Sequence, residues 1–354
     1  MFEADVAHIA QHSSTGALPQ QDRVGELVAE AHERYAGANA SDGAVADYIP
    51  ILARADADWF GLSLFAADGA SHNAGDTGIA FSIQSISKAF VFALVCDALG
   101  HEAVHDVIGV NNTGLAFNSV VAIELNGGSP MNSMVNAGAI ATTALMPGKD
   151  SDARWDAIRS GLSRFAGRPL LLDGEVYRSE SFTNYRNHAL ARLLQSYDRL
   201  AIGPDEAVDL YTRQCSLAVT ARDLAVMGAT LACGGINPLT RERVVSAETS
   251  RDTLALLASC GMYERSGEWL YEIGLPAKSG VSGGIVAISP GKGAVGAFSP
   301  PLDSAGNSVR GQRACAYLSR SLGLNLFASA PRADIEPNPG PDPFQSPDRE
   351  GASR

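Results

Sequence analysis

Strand signals lie near the two ends of this 354-residue chain, and helical periodicity fills most of the sequence between them. Residues 59–66 form an aromatic, apolar run that ends at Asp68-Gly69, a dipeptide typical of hairpin turns. A glycine-rich, β-branched stretch at 280–289 and an apolar run at 294–299 predict a second hairpin. We therefore predict a mixed α/β (α+β) fold, in which one mainly antiparallel sheet is built from both chain ends and flanked by helices.

Helices are predicted where apolar residues recur at helical spacing, over 23–35, 222–232 and 310–324. The segment from roughly 100 to 270 is mostly helical and forms a subdomain within one catalytic domain at 21–328. Residues 1–20 are predicted to form a loose arm. Residues 329–354 are acidic, rich in proline and poor in apolar surface, so we expect a disordered tail there.

Composition excludes several classes of protein. The chain is 45% apolar and 19% charged, which is typical of a globular protein, and its net charge of -12 disfavours a nucleic-acid partner. No run reaches the roughly 18 apolar residues that a membrane helix needs, so no membrane partner is expected. Met1 to Asp5 lack the basic start of a signal peptide, and the five cysteines are scattered. These features predict a cytoplasmic protein with reduced thiols.

Ser85 and Lys88 form a Ser-x-x-Lys motif at the edge of an apolar run that reads as a buried helix. Residues three apart on a helix lie side by side, so the amine can reach the hydroxyl. A lysine carried into an apolar interior loses solvation, and its neutral form becomes a usable base. A serine beside that base is a candidate nucleophile, although the motif also occurs by chance with the lysine extended to water.

Two other short motifs compete with this one. His101 to His105 fits H-E-x-x-H, the zinc-hydrolase pattern, but Gly100 and Gly109 leave room for barely two helical turns. Val104, Val107 and Ile108 would form the apolar face, so we favour histidines that face water. Gly280 to Gly284 fits G-x-S-x-G, yet a turn before Ser282 and a strand after it would reverse the order that a nucleophile elbow needs.

Several phrases of the sequence, taken together, resemble the serine-dependent glutaminase family, whose fold is similar to that of β-lactamases and penicillin-binding proteins. They occur in family order from about residue 20 to 325. The phrases are Tyr48-Ile49-Pro50, Gln84 to Lys88, Met134 to Ile140, Glu180 with Arg186-Asn187, Tyr211 with Gln214-Cys215-Ser216, Ser259 to Tyr263, Leu275 to Ile285, Ser299 to Asp303 and Gly306 to Val309.

The resemblance implies a mechanism. Ser85 would be the nucleophile that forms a glutamyl ester, Lys88 its base and Tyr263 a proton relay. Backbone N–H groups of Ser85 and Val281 would form the oxyanion hole, and Lys278 would add positive potential. Without the family, Tyr263 would be interpreted as a half-buried surface aromatic and Lys278 as a surface lysine.

The resemblance also implies a pocket for L-glutamine with no metal or organic cofactor, and a homo-oligomer that is a dimer or a tetramer. Glu180 would pair with the substrate ammonium, and neutral groups would bind its other polar ends. Alone, Asn136 could instead cap a helix and Glu180 could be solvated. The implied pocket residues, besides Ser85, Tyr263 and Val281, are Tyr48, Asn136, Glu180, Asn187 and Tyr211.

Two departures from the family stand out: Ala89 replaces a frequent proline, and residues 181–185 differ from those of relatives. Three alternatives remain at this point. One is another serine amidohydrolase of the same fold, such as a β-lactamase or D-alanyl peptidase, although these act outside the cytoplasm. The second is a zinc hydrolase that uses His101 and His105. The third is a binding protein for glutamine or glutamate without catalysis.

Overall fold

A five-stranded antiparallel sheet joins the two ends of the chain. The computed structural model describes residues 8–9, 16–37 and 43–329. Within these ranges the strands are β1 (Gly61–Ala66), β2 (Ser71–Gly75), β3 (Phe81–Ser82), β4 (Leu171–Leu172), β5 (Leu217–Val219), β6 (Ala277–Gly280), β7 (Gly284–Ser289) and β8 (Gly293–Phe298). The sheet order is β2-β1-β8-β7-β6, so early and late strands meet where β1 pairs with β8. The predicted fold class is confirmed.

Helices surround this sheet and fill the middle of the chain. In order they are α1 (Gln21–Ala36), α2 (Ser87–Leu99), α3 (His101–His105), α4 (Val121–Leu125), α5 (Asn136–Ala144), α6 (Ser151–Ala166), α7 (Gly174–Thr183), α8 (Tyr185–Ser196), α9 (Pro204–Cys215), α10 (Ala221–Ala232), α11 (Ala247–Cys260), α12 (Ser266–Glu272) and α13 (Val309–Ser321). None of the helices within 16–37 and 43–329 combines the length and apolar character that crossing a bilayer requires.

Both faces of the sheet are buried, which explains why β7 and β8 are apolar along their whole length. Successive residues of a strand point to opposite faces. Val286 and Ile288 therefore join the core on the side of α10, while Ile285 and Ala287 join the core beneath α1 and α13. The predicted helices over 23–35, 222–232 and 310–324 correspond to α1, α10 and α13 and supply both layers.

Two glycines let α10 approach the sheet closely. A Cβ on Gly296 of β8 would lie 2.0 Å from the carbonyl oxygen of Ala221. A Cβ on Gly228 of α10 would lie 2.6 Å from the side chains of Ala294 and Val286. The helix can therefore rest directly on the strands, because neither surface carries a side chain at these contacts.

A second sheet of three short strands, in the order β3-β5-β4, takes two of its strands from the mostly helical segment between 100 and 270. Its strands contain only two or three residues each, too few to display a period-two pattern in the sequence. The sheet lies next to the nucleophile motif, since β3 ends at Ser82 and the Ile83 N–H donates to the Leu217 carbonyl. It thereby fixes the chain just before Ser85.

The predicted division into an arm, a domain and a tail stays a prediction. Most of the arm at 1–20 and nearly all of the tail at 329–354 lie outside the described residues. Within the described part, helices α3 to α12 occupy most of the segment between 100 and 270, and the strands of the larger sheet lie outside that segment.

Replacing Arg310 with methionine is expected to lower the free energy of unfolding by about 3 kcal/mol. Its buried guanidinium donates to Ser299 Oγ (2.8 Å) and to carbonyls of Ala57 and Trp59, and it lies 5.5 Å from the Phe60 ring. It thus joins α13 to the segment before β1. Urea unfolding measures the loss, with the exposed Arg251→Met as control; a loss below about 1 kcal/mol would contradict this role.

Candidate active site

The nucleophile motif begins in a tight turn and continues as a helix. Gln84 to Ile86 form a single 3-10 turn before α2, and Gln84 has a left-handed backbone with φ of 50°. This differs from the continuous helix expected from the sequence, and places Ser85 ahead of the first regular turn. Left-handed backbone costs energy in a residue with a side chain and is concentrated at functional sites. Ser85 is buried in the middle of this strained turn.

Lys88 lies inside the protein, as the motif predicted, with 1% of its surface exposed. Its Nζ donates to the Met134 carbonyl (3.0 Å) and to Asn136 Oδ1 (2.7 Å). Burial lowers the pKa of Lys88 to about 8, although the nearby Cys215 and Glu180 favour its charged form. A neutral amine has two N–H donors and one lone pair, so these two acceptors leave the lone pair available for a proton.

Tyr263 is the phenol that contacts the nucleophile. Burial raises the pKa of Tyr263 to about 12, and its hydrogen bond with Ser85 partly offsets that rise. Its hydroxyl donates to the Ser279 carbonyl at 3.3 Å, and its ring lies against Phe117. Like Gln84 it has a left-handed backbone, with φ of 55°. The interpretation of Tyr263 as a half-buried surface aromatic is therefore wrong.

Lys278 is completely buried on β6, which overturns its interpretation as a surface lysine. Its Nζ lies 4.2 Å from the centre of the Tyr263 ring and donates to the Ser279 carbonyl at 2.8 Å. Burial, reinforced by the positive charge of Lys88, holds the pKa of Lys278 well below its ordinary value. A second buried lysine, besides Lys88, therefore lies in this centre and contacts the phenol ring.

The expected pocket residues come together around this centre. Asn136 does not cap α5, since its side chain accepts from Lys88 and its Nδ2 donates to Asn187 Oδ1 at 3.0 Å. Glu180 is buried rather than solvated, and accepts from Gln84 Nε2 at 3.3 Å. Burial raises the pKa of Glu180 to about 7, while the Gln84 hydrogen bond and Lys88 oppose the rise.

Two tyrosines border this polar cluster. The Tyr211 ring is buried and lies 5.9 Å from Lys88 Nζ. Tyr48 is more exposed, with 57% of its surface accessible. The pKa of its phenol is raised by partial burial and by the proximity of Tyr263 and Glu180, which places the side chain near the same site.

Val281 lies where the edge strand β6 ends. Strand pairing stops at Gly280, and Val281 is in the turn that leads to β7. A Cβ on Gly280 would lie 3.0 Å from the Ile83 carbonyl oxygen, so the glycine lets this turn approach the segment that carries Ser85. The role of the Ser85 and Val281 N–H groups as an oxyanion hole stays a prediction.

Sequence reasoning missed a buried polar chain that supports the strained turn. Thr143 Oγ1 donates to Gln214 Oε1 (2.9 Å), Gln214 Nε2 to Ser87 Oγ (3.3 Å), and Ser87 Oγ to the Gln84 carbonyl (2.7 Å). The only signal in the sequence was that Gln84, Ser87 and Gln214 fall within the family phrases. Their polar side chains gave no indication of burial.

The two competing motifs have structural explanations. His101 Nδ1 lies 3.2 Å from Asp252 Oδ2, and no group of three or more candidate metal ligands occurs within the described residues. Ser282 Oγ donates to the Ser82 carbonyl at 2.7 Å and ties the turn after β6 to β3. The expected turn before Ser282 is wrong, because strand β6 precedes it. Strand β7 follows where a nucleophile elbow needs a helix, so the order is still not that of an elbow.

Comparison with known proteins gives consistent matches over most of the chain. A family model described as Glutaminase matches residues 43–327. "Glutaminase 2" of Yersinia pestis is 55% identical over 323 residues, which is 91% of this chain and 94% of the relative. Among solved structures, "Probable glutaminase ybaS" aligns with a TM-score of 0.86 at 44% identity, covering 88% of this chain and all of that one.

A further solved structure, described as Mglu in its glutamate form, aligns with a TM-score of 0.82 at 40% identity. It covers 86% of this chain and 70% of that one. The range that the family model matches, residues 43–327, spans every residue of the site described above.

Proposed function

The chain belongs to the glutaminase family and is an amidohydrolase, and we propose that it hydrolyses L-glutamine to L-glutamate and ammonia through an ester on Ser85. The observation that carries this assignment of residues is the contact of Ser85 with the buried Tyr263. Lys88, three residues after Ser85, is also buried, and its pKa is lowered to about 8. At pH 7 roughly a tenth of such a lysine is neutral, far more than of an ordinary lysine, and the neutral form can accept a proton.

In the acylation step, Ser85 Oγ attacks the side-chain amide carbon of glutamine. The serine proton passes to the neutral amine of Lys88, with Tyr263 as the relay, and then to the leaving nitrogen, which departs as ammonia. The N–H groups of Ser85 and Val281 stabilise the negative oxygen of the tetrahedral intermediate. Lys278 donates to the Ser279 carbonyl beside the phenol and, in its protonated form, adds positive potential there. The product of this step is a glutamyl ester of Ser85.

In the deacylation step, water attacks the same carbon. The water proton passes to the Tyr263–Lys88 pair and returns to Ser85 Oγ as the ester bond breaks. Glutamate leaves, and the hydroxyl, amine and phenol regain their starting states. Glutamine and water are thus converted to glutamate and ammonia, with no metal or organic cofactor. The glutamate form of the similar Mglu structure supports a pocket that fits this product.

Glu180→Gln is expected to raise KM about 30-fold and to lower kcat less than about fivefold, because a charge-assisted hydrogen bond to the substrate ammonium is worth about 2 kcal/mol. Steady-state kinetics with glutamine measures both constants. Glu175→Gln, an exposed change on the same helix, is the matched control and should leave KM unchanged. An unchanged KM in Glu180→Gln would argue against the ammonium contact.

The pH dependence of kcat/KM follows from two groups that must lose a proton. Glu180 must be ionised to bind an ammonium, and its pKa of about 7 makes it increasingly charged as the pH rises through 7. Lys88 must be neutral to act as a base, which requires a rise through about 8. We expect kcat/KM to increase by roughly 500-fold from pH 6 to 8, about tenfold from the ionisation of Glu180 and about 50-fold from the deprotonation of Lys88. A profile that is flat over this range would contradict both assignments.

Ammonia release from glutamine by the purified protein tests the proposed reaction against its alternatives. We expect release that a chelator does not affect. Loss of activity with chelator would favour a zinc hydrolase built on His101 and His105. Hydrolysis of a β-lactam without turnover of glutamine would favour another serine amidohydrolase, and saturable glutamine binding without release would indicate a silent binding protein.

A homo-oligomer, either a dimer or a tetramer, is part of the proposal. Large apolar side chains that remain exposed on the single chain support it, because an interface would cover them. They include Leu125, Phe182, Tyr185 and Tyr271. Light scattering coupled to gel filtration tests this point, and the mass of one chain would contradict it.

A cytoplasmic location is proposed as well, supported by the five free cysteines at positions 96, 215, 233, 260 and 315. Fractionation of cells that produce the protein tests it, and recovery of the activity outside the cytoplasm would contradict it.

A further inference from the structure

One backbone carbonyl accepts hydrogen bonds from both Tyr263, which contacts the nucleophile, and Lys278, which contacts the Tyr263 ring. The Ser279 oxygen accepts hydrogen bonds from Tyr263 (3.3 Å) and from Lys278 Nζ (2.8 Å). This oxygen can accept from side chains because β6 is the edge strand of its sheet and pairs only with β7. The position of this carbonyl therefore sets the position of the phenol and of the amine.

The carbonyl also determines the direction in which the phenol donates. A tyrosine hydroxyl has one proton to donate and lone pairs to accept with. When the Tyr263 proton goes to the Ser279 oxygen, the phenol oxygen accepts from Ser85 and leaves a serine lone pair free to attack. As the phenol then takes the serine proton, it passes its own proton to Lys88, because a neutral phenol holds only one. If the Ser279 carbonyl moved away, the phenol proton could turn to Ser85 Oγ and occupy the lone pair that must attack.

Ser279 is itself held by a residue that does not belong to the reaction centre. Its Oγ donates to Asn307 Oδ1 at 2.5 Å, and Asn307 is completely buried. The backbone N–H of Asn307 donates to Asp303 Oδ1 (3.0 Å), and the Asp303 N–H donates to the Asn307 carbonyl (2.8 Å). This closed turn leads directly into α13, so the amide of Asn307 is fixed to a rigid element.

The same turn lies against the phenol ring. A Cβ on Gly306 would be 3.7 Å from Cε2 of Tyr263 and 3.7 Å from Cγ1 of Val281. Asn307 therefore supports Tyr263 in two ways, through Ser279 at its hydroxyl and through Gly306 at its ring. The left-handed backbone of Tyr263 makes such support necessary, because strained residues persist only where their surroundings hold them.

The amide of Asn307 is incompletely paired. Its Nδ2 is buried without a hydrogen-bond partner among the described residues. Reversing the amide would leave Oδ1 unpaired instead, since Ser279 Oγ takes only one of the two atoms. A buried asparagine with one orphaned polar atom is unfavourable for stability, because a buried unpaired group costs free energy.

We propose that Asn307 is a positioning residue for Tyr263, acting through Ser279, whose carbonyl orients the phenol toward the nucleophile. The inference rests on the proposed function, since it assigns Tyr263 a part in catalysis. Asn307 and Ser279 touch neither the ammonium-binding carboxylate nor the amides of Asn136 and Asn187. Their loss should therefore slow the chemistry and leave glutamine binding nearly unchanged.

The test compares kcat and KM for variants of both partners, per folded enzyme. We expect Asn307→Leu, which keeps the side-chain size but removes the acceptor, to lower kcat 10- to 30-fold with KM within twofold. Ser279→Ala removes the same bond from its other end, together with the direct contact of the Ser279 side chain with the Tyr263 phenol, and should lose at least as much. The double variant should lose no more than the worse single variant, because the two residues act through one interaction. Asn307→Asp, which still accepts from Ser279, should retain kcat within threefold.

Asn237→Leu is the matched control, since Asn237 is equally buried and its amide bonds the Arg164 and Phe165 carbonyls away from the site. Asn237→Leu should lower the melting temperature and leave kcat per folded enzyme unchanged. If Asn237→Leu does not fold, Thr230→Val serves as the control, since Thr230 Oγ1 donates to the Phe165 carbonyl. A wild-type kcat in Asn307→Leu, additive losses in the double variant, or an equal loss of kcat in the control would overturn the inference. A wild-type protein that releases no ammonia from glutamine would instead refute the proposed function.

Discussion

Replacing Ser85 with alanine is expected to lower kcat for glutamine by at least about 10⁴-fold, since it removes the atom that forms the covalent intermediate. The free energy of unfolding should change by less than about 1 kcal/mol, because the substitution deletes one small hydroxyl in a turn that other bonds support. Ammonia release and urea unfolding measure the two quantities. Glutamine should still bind, since the carboxylate of Glu180 is unaffected.

The matched control is Ser282→Ala, which changes the serine of the competing G-x-S-x-G motif. Ser282 Oγ is committed to the Ser82 carbonyl, so its loss should cost about 1 kcal/mol of stability and leave kcat within fivefold of wild type. The opposite pattern, with Ser85→Ala active and Ser282→Ala inactive, would move the nucleophile to the turn after β6. Retention of activity in both variants would exclude both serines.

Lys88→Met has the second largest expected effect, a loss of about 10³-fold in kcat, because it removes the base and keeps the aliphatic stem. Lys88→Arg should not restore activity, since a guanidinium stays protonated and cannot accept the serine proton. The amine also bonds the Met134 carbonyl and Asn136, so a change in stability is expected and kcat must be expressed per folded enzyme.

Lys292→Met is the matched control for a buried lysine. Lys292 Nζ donates to the Gly323 carbonyl at 2.6 Å, far from the nucleophile in the fold, and its loss should lower stability while kcat stays within twofold. Near-wild-type turnover of Lys88→Met at neutral pH would exclude the amine as base and leave Tyr263 as the group that takes the proton.

Much of the site could be predicted because its residues lie in phrases that resemble one family. Ser85 and Lys88 are three positions apart, a spacing that places two residues on the same face of a helix. The sheet could be predicted for a different reason: β1, β7 and β8 are apolar runs of six residues bounded by turn signals.

The missed features depend on burial and backbone conformation. Lys278 looks like a surface residue in sequence, since only the packed structure shows that Tyr263 and Ser279 take the place of water around it. Left-handed backbone at Gln84 and Tyr263 is not encoded by residue type, because neither is a glycine or an asparagine. The link from Asn307 to Ser279 joins a loop to a strand 28 residues away, and no local pattern indicates it.

The most direct test of catalysis through an ester on Ser85 is to trap that covalent intermediate. The enzyme is mixed with glutamine, denatured in acid within one turnover and digested with trypsin, and peptide 55–88 is examined by mass spectrometry. We predict that the mass of this peptide increases by one glutamyl group on Ser85. Hydroxylamine should remove the added group, and the Ser85→Ala variant should not acquire it. Rapid ammonia release with an unmodified Ser85, or with the glutamyl group on another residue such as Cys215, would contradict catalysis through this ester.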